Sequence, residues 1–186
     1  LILRDLDLLT QLAERNLVHV YISLTTLNED LRQTMEPRTV TANGRLNVIR
    51  KLTEAGVPVG VMTAPIIPGL NDHEIPKLIE AAAQAGARTA GYTVVRLNGA
   101  IAELFEDWVR KTFPDRADKV LAQIRDCHGG QLNDSRWHLR MMGQGPIAGH
   151  IVQLHAVSRK KFMAGREMPK YDLTQFRRVG MQFRLF

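Results

Sequence analysis

One stretch constrains this chain more than any other: Val57-Pro-Val-Gly-Val-Met-Thr-Ala-Pro-Ile-Ile-Pro-Gly-Leu-Asn-Asp72. Its first half is a short, nearly unbroken apolar run, the pattern of a strand buried on both faces. Pro65, Pro68, Gly69 and Asn71 then interrupt any regular element. Asp72 is suited to cap a following helix, with Pro76 inside the first turns. Strand, irregular loop and capped helix form one βα unit, and in α/β proteins such loops lie at the carboxyl end of a parallel sheet, where ligands bind.

The rest of the chain repeats that rhythm. Arg4 to Arg15 reads as a helix with Leu6, Leu8, Leu9 and Leu12 near helical spacing. Leu17 to Thr26 is apolar and β-branched, and reads as a buried strand. Asn28 caps a short helix to about Met35, and Glu36-Pro37-Arg38 breaks it. Ala42 to Ala55 is the next helix, closed by Gly56, and Glu74 to Ala85 another, closed by Gly86. Thr89 to Leu97 is a third strand, ended by Asn98-Gly99. Helices over Ile101–Phe113, Arg116–Cys127 and Ile147–Phe162 follow. Strands beginning near residues 18, 57 and 89 with helices between them predict an α/β fold with a parallel sheet. Right-handed crossovers bring the three carboxyl ends to one side. The expected division is 1–128 for the βα units with their following helices, and 129–186 for a basic extension packed on them.

A chain of 186 residues, 45% apolar and 24% charged, has the make-up of a soluble globular domain with an appendage. No apolar run reaches the roughly 18 residues of a membrane span, and no signal-peptide pattern opens the chain. A single cysteine, Cys127, excludes an internal disulfide framework and fits a reducing, cytoplasmic compartment. The opening Leu1-Ile-Leu-Arg-Asp-Leu-Asp7 already reads as structured, so the chain is expected to be a piece of something longer. The net charge of +6 sits entirely in residues 150–186, with eight basic against two acidic residues. That excess is either a solvated extension or a patch for nucleic acid through region 159–184.

The chemistry-bearing residues gather at the carboxyl ends. Ser23, Thr25 and Thr26 end the first strand, and buried hydroxyls there either cap backbone or face a ligand. Arg38 and Arg45 supply either a carboxylate clamp or a surface salt bridge. Arg96 ends an apolar strand, where a charge is either paired or lining a cleft. No metal-binding pattern is present: the six histidines form no HExxH, and there is no cysteine pair. Cys127 beside His128 reads as a structural thiol, since adjacent side chains point in different directions. Gly143-Gln-Gly145 is too little for a phosphate cradle, and neither a GxSxG elbow nor a P-loop lysine motif occurs.

Several segments together resemble the spore photoproduct lyase-like group of radical SAM enzymes, often labelled DNA repair photolyases. They are Ser23-Leu-Thr-Thr26, Met35-Glu-Pro-Arg38, Arg45-Leu46, Ala55-Gly-Val-Pro-Val-Gly-Val61, Ala64-Pro-Ile-Ile-Pro-Gly-Leu-Asn-Asp-His-Glu74 and Ala85-Gly-Ala87. Leu104-Phe105, Lys119-Val-Leu121, Gly129-Gly130, Asn133-Asp134 and Arg140-Met141 extend the resemblance along most of the chain. It implies the later strands of a partial (βα)6 barrel that binds a [4Fe-4S] cluster and S-adenosylmethionine. The implied activity is reductive cleavage of that cofactor to a 5′-deoxyadenosyl radical, with nucleic acid as a candidate substrate. By the same resemblance, Ser23 and Thr25 would sit near the cofactor's methionine or ribose part, and Arg38 or Arg45 near its carboxylate. Thr63, Ala64 and Pro65 would lie against ribose and adenine, and Arg96 would flank adenine or substrate.

The sequence departs from that group in one decisive respect. The CxxxCxxC that holds the cluster is absent, so this chain by itself is expected to be inactive. Two other readings stand beside it: a nucleic-acid-binding module without chemistry, and a non-radical (βα)-barrel lyase. The last would want a Schiff-base lysine at a strand end, and none of the three strands has one.

Overall fold

The computed structural model describes residues 1–137 and 139–175. A 3₁₀ turn (Ile2–Asp5) leads into α1 (Leu6–Glu14), then β1 (Val20–Ser23), α2 (Glu29–Met35) and α3 (Ala42–Glu54). β2 (Val59–Ile66), α4 (Ile75–Gln84) and β3 (Thr89–Val94) follow. The chain closes through α5 (Ala100–Thr112), α6 (Ala117–Cys127), α7 (Leu139–Met142) and α8 (Gly145–Phe162). The three strands make one parallel sheet in the order β1-β2-β3, with Val20 opposite Val59 and Gly60 opposite Thr89. The βα reading therefore stands, and it is compatible with part of a radical SAM barrel.

Local sequence accounts for the helix ends. Asn28 Oδ1 accepts from Leu31 N at 3.1 Å, and Thr41 Oγ1 from Gly44 N at 3.1 Å, so α2 and α3 each begin on a side-chain cap. α3 and α4 end in the same way. Gly56 and Gly86 take positive φ (79° and 105°), and Val57 N and Ala87 N bond back to Leu52 O and Ala82 O. Both are Schellman closures, in which only a residue without Cβ turns cheaply into the next strand. The start of α4 departs from expectation. Asp72 Oδ1 accepts from Gly69 N at 2.9 Å, within the loop, and α4 begins at Ile75 with no side-chain cap. The first strand is also shorter than its apolar run, because Thr25 and Thr26 turn out of the ladder into side-chain hydrogen bonds.

Alternation along β2 separates two faces. Val59, Val61 and Thr63 share a fully buried face, whereas Met62 and Ala64 are half-buried on the other. The buried face packs on α3 and α4 through Ile49, Leu52, Ile75, Leu78 and Ile79, all below 1% exposed. Burying one such side chain contributes roughly 1.5–3 kcal/mol. On the opposite face Tyr21 lies across Gly60 so closely that a Cβ there has no room, and the Met62 sulfur covers Gly91 in the same manner. A second apolar cluster lies beyond the strand ends. Ile67, Leu70, Val95 and Leu97 pack against Val109, Val120, Leu121 and Ile124 of α5 and α6.

α8 runs back along α4 and α6, and the chain then crosses the amino edge of the sheet. Arg159 Nη2 donates to Thr89 Oγ1 at 3.2 Å. Arg166 Nη1 donates to Ala83 O at 2.6 Å and Ala87 O at 3.1 Å, where α4 exposes its last carbonyls. His19 Nε2 bonds Pro169 O at 2.8 Å and its ring stacks on Tyr171 at 4.0 Å. Asp172 N reaches Asn16 O at 3.0 Å. Part of the basic region thus serves as a strap from the foot of β3 to the foot of β1. Arg177, Arg178 and Arg184 lie outside the described residues.

Candidate functional site

The carboxyl edge of the sheet is held by three buried or half-buried polar side chains, none of which the sequence reading assigned to the site. Asn71 is fully buried. Its Nδ2 donates to Thr25 O at 2.9 Å and to Pro65 O at 3.0 Å, and its Oδ1 accepts from Ile67 N at 2.6 Å. Glu74, also buried, accepts from Thr26 Oγ1 at 2.6 Å and from Leu27 N at 2.7 Å. Glu36 accepts from Thr25 Oγ1 at 3.1 Å through one oxygen and from Arg45 Nη2 at 2.7 Å through the other. The tip of β1 is therefore gripped from α3, from the loop after α2 and from the loop after β2.

The predicted residues separate into groups. Arg45 is committed to protein: besides Glu36 it donates to Ser23 O at 3.0 Å and Val40 O at 3.1 Å. Arg38 is exposed and makes no hydrogen bond or ion pair among the described residues. Thr25 is buried and its hydroxyl is taken by Glu36. Thr63 is fully buried on the helix-facing side, donating to Gly91 O at 3.2 Å. Ser23 is exposed at the end of β1, Ala64 and Pro65 are half-buried at the end of β2, and Arg96 is half-buried beyond β3. The peptide between Ala64 and Pro65 is cis. Ser23 and Arg45 share one recess of about 330 Å³ beside the free edge of β1, with Tyr21, Ile22, Val40 and Val48 as its apolar walls.

The donor chemistry does not fit an iron-sulfur cluster. Among the described residues no group of three or more His, Cys, Asp or Glu side chains could hold a metal. Cys127 is fully buried, and burial, with Asp126 adding to it, pushes its thiol up to about 11. A thiol held protonated is the opposite of a cluster ligand.

Signals for the missed residues were present. Asn71 stands in an otherwise apolar loop, Ile66-Ile-Pro-Gly-Leu70, where a buried amide must find partners. Glu36 sits inside the Met35-Glu-Pro-Arg38 segment. Glu74 reads as an ordinary first-turn residue, and only the approach of the β1 tip gives it a role.

An uncharacterized protein of Mycobacterium tuberculosis and another of Mycobacterium bovis are each 31% identical over 117 residues, which is 62% of this chain and 34% of theirs. An uncharacterized protein of Acidianus two-tailed virus is 41% identical over 68 residues, 37% of this chain and 22% of its own. The chain spans about a third of the length of the mycobacterial relatives. Among the described residues no helix is long and apolar enough to cross a membrane. The family model of the Radical SAM superfamily matches residues 2–82, the segment that carries β1, β2 and the whole polar network between them.

Proposed function

We propose that this chain supplies the later strands of a radical SAM barrel of the spore photoproduct lyase-like group, in a protein whose activity is reductive cleavage of S-adenosylmethionine. The observation that carries the reading is the coincidence of the family match over residues 2–82 with a parallel sheet whose carboxyl edge is braced by buried polar side chains. Ser23, Ala64, Pro65 and Arg96 are the residues left to meet the cofactor. Arg45 acts behind them, because its guanidinium holds Ser23 through the backbone. Thr25 and Thr63 shape the strand tips from within, and Arg38 stands on the outer rim. The cluster would be held by cysteines elsewhere in the protein, and when bound it would supply the electron for cleavage.

The test uses the longest natural protein that contains this segment, reconstituted anaerobically with iron and sulfide. Addition of S-adenosylmethionine and dithionite should release methionine and 5′-deoxyadenosine. A protein with no CxxxCxxC and no such release would sink the proposal.

A nucleic-acid partner is a second proposal, favoured by Lys160, Lys161 and Lys170, which stay exposed at the sheet's amino edge beside the committed Arg159 and Arg166. Affinity for single- or double-stranded DNA should then fall steeply with salt. Absence of binding at low salt would remove it.

A further inference from the structure

We infer that Asn71 is a positioning residue for the cofactor edge, setting the separation of the β1 and β2 tips; this rests on the proposed radical SAM reading. The backbone ladder between these strands ends at the Ser23–Met62 pair and the Leu24 N to Met62 O bond. Beyond it the tips have no main-chain bond to hold them together. The Asn71 amide takes over: one NH2 group bonds Thr25 O on one tip and Pro65 O on the other. Two acceptors on the two N–H bonds of one planar amide stand roughly 5 Å apart, which is close to the ordinary spacing of neighbouring strands. The same side chain anchors itself through Ile67 N, so its position follows the loop. Asn71 is fully buried. Its effect passes through Ser23 and Thr25 on one side and Ala64 and Pro65 on the other.

Removing the side chain takes the partner from two carbonyls and one N–H, and the tips relax apart. Asp at this position keeps the acceptor for Ile67 N but sets its other oxygen against both carbonyls. The measurement is equilibrium binding of S-adenosylmethionine to the full-length protein carrying this segment, for the wild type, Asn71→Ala and Asn71→Asp. Far-UV circular dichroism at the same temperature reports the folded fraction. Both variants should bind at least tenfold more weakly while folded, with KM raised by more than kcat falls. Should Asn71→Ala fail to fold, Asn71→Asp carries the test, because its retained Ile67 bond keeps the loop anchored. Unchanged affinity in a folded variant would overturn the inference and leave the radical SAM reading standing. A wild-type protein that does not bind S-adenosylmethionine would remove both.

Discussion

The Arg45 Nη2 atom lies 2.7 Å from the Glu36 carboxylate, and the same guanidinium reaches Ser23 O at 3.0 Å. An ion pair between α3 and the segment after α2 thereby fixes the end of β1. Both side chains are mostly buried, at 16% and 24% exposure, so the pair is neither a loose surface bridge nor free to clamp a ligand carboxylate.

Arg45→Ala should therefore act first on stability. It strips donors from Ser23 O, Val40 O and Glu36 at once, and the expected cost is roughly 1–3 kcal/mol. Arg45→Lys should recover only part of it, because a single ammonium cannot reproduce the fork. Urea denaturation midpoints check this; equal midpoints for wild type and Arg45→Ala would contradict it.

Glu74→Gln tests the second brace. The one remaining oxygen can accept from Thr26 Oγ1 or from Leu27 N, not from both. With the oxygen on Thr26, the new amide N–H2 opposes the Leu27 N–H, and two donors opposed in a buried place should cost roughly 1–3 kcal/mol. Amide hydrogen exchange at Leu27 should accelerate. An unchanged exchange rate there would show that the Glu74 to Leu27 bond contributes nothing in solution.

His155 predicts a pH dependence. It is buried against Tyr92, with ring centroids 4.5 Å apart, and its Nε2 has no hydrogen-bond partner among the described residues. Burial, reinforced by Arg159, lowers its pKa to about 4. Between about pH 6.5 and 4 the unfolded chain takes up a proton that the folded chain refuses. Stability is complete above that window and falls as the pH drops through it, by roughly 3 kcal/mol over the whole shift. His155→Phe should flatten this slope by about one proton. A slope unchanged in the variant would assign the acid sensitivity elsewhere.

Arg166→Ala should destabilise the chain by roughly 1–2 kcal/mol, since it takes a donor from Ala83 O at the end of α4 and from Ala87 O just before β3. A double-mutant cycle on His19 and Tyr171 should give a coupling of roughly 0.5–1.5 kcal/mol for the stacked rings. Neither change should alter ligand binding at the carboxyl edge, because the strap crosses the opposite end of the sheet. Weakened binding in a folded Arg166→Ala protein would contradict that separation.

Much of this was legible in the linear chain. Apolar runs at Val57 and Thr89, glycines at 56 and 86, and the cap at Asn28 act within a few residues, so local chemistry specifies them. The carboxyl edge was also legible as a place, because right-handed crossovers leave no choice of side. The partners found there were not. Thr63 alternates with Val59 and Val61, yet only the helices packed on that face determine that its hydroxyl bonds Gly91. Arg45 and Arg38 are alike in sequence terms; tertiary packing sets one against Glu36 and Ser23 O and leaves the other in solvent.

Sequence alone thus determined the βα order, the helix closures and the side to which the strands' carboxyl ends point, since these depend on periodicity and on backbone preferences a few residues long. Tertiary structure decided which polar groups brace that end. Asn71 and Glu74 meet residues 46 and 48 positions away, and a buried donor or acceptor takes its role from whichever unpaired group the fold brings within hydrogen-bond reach.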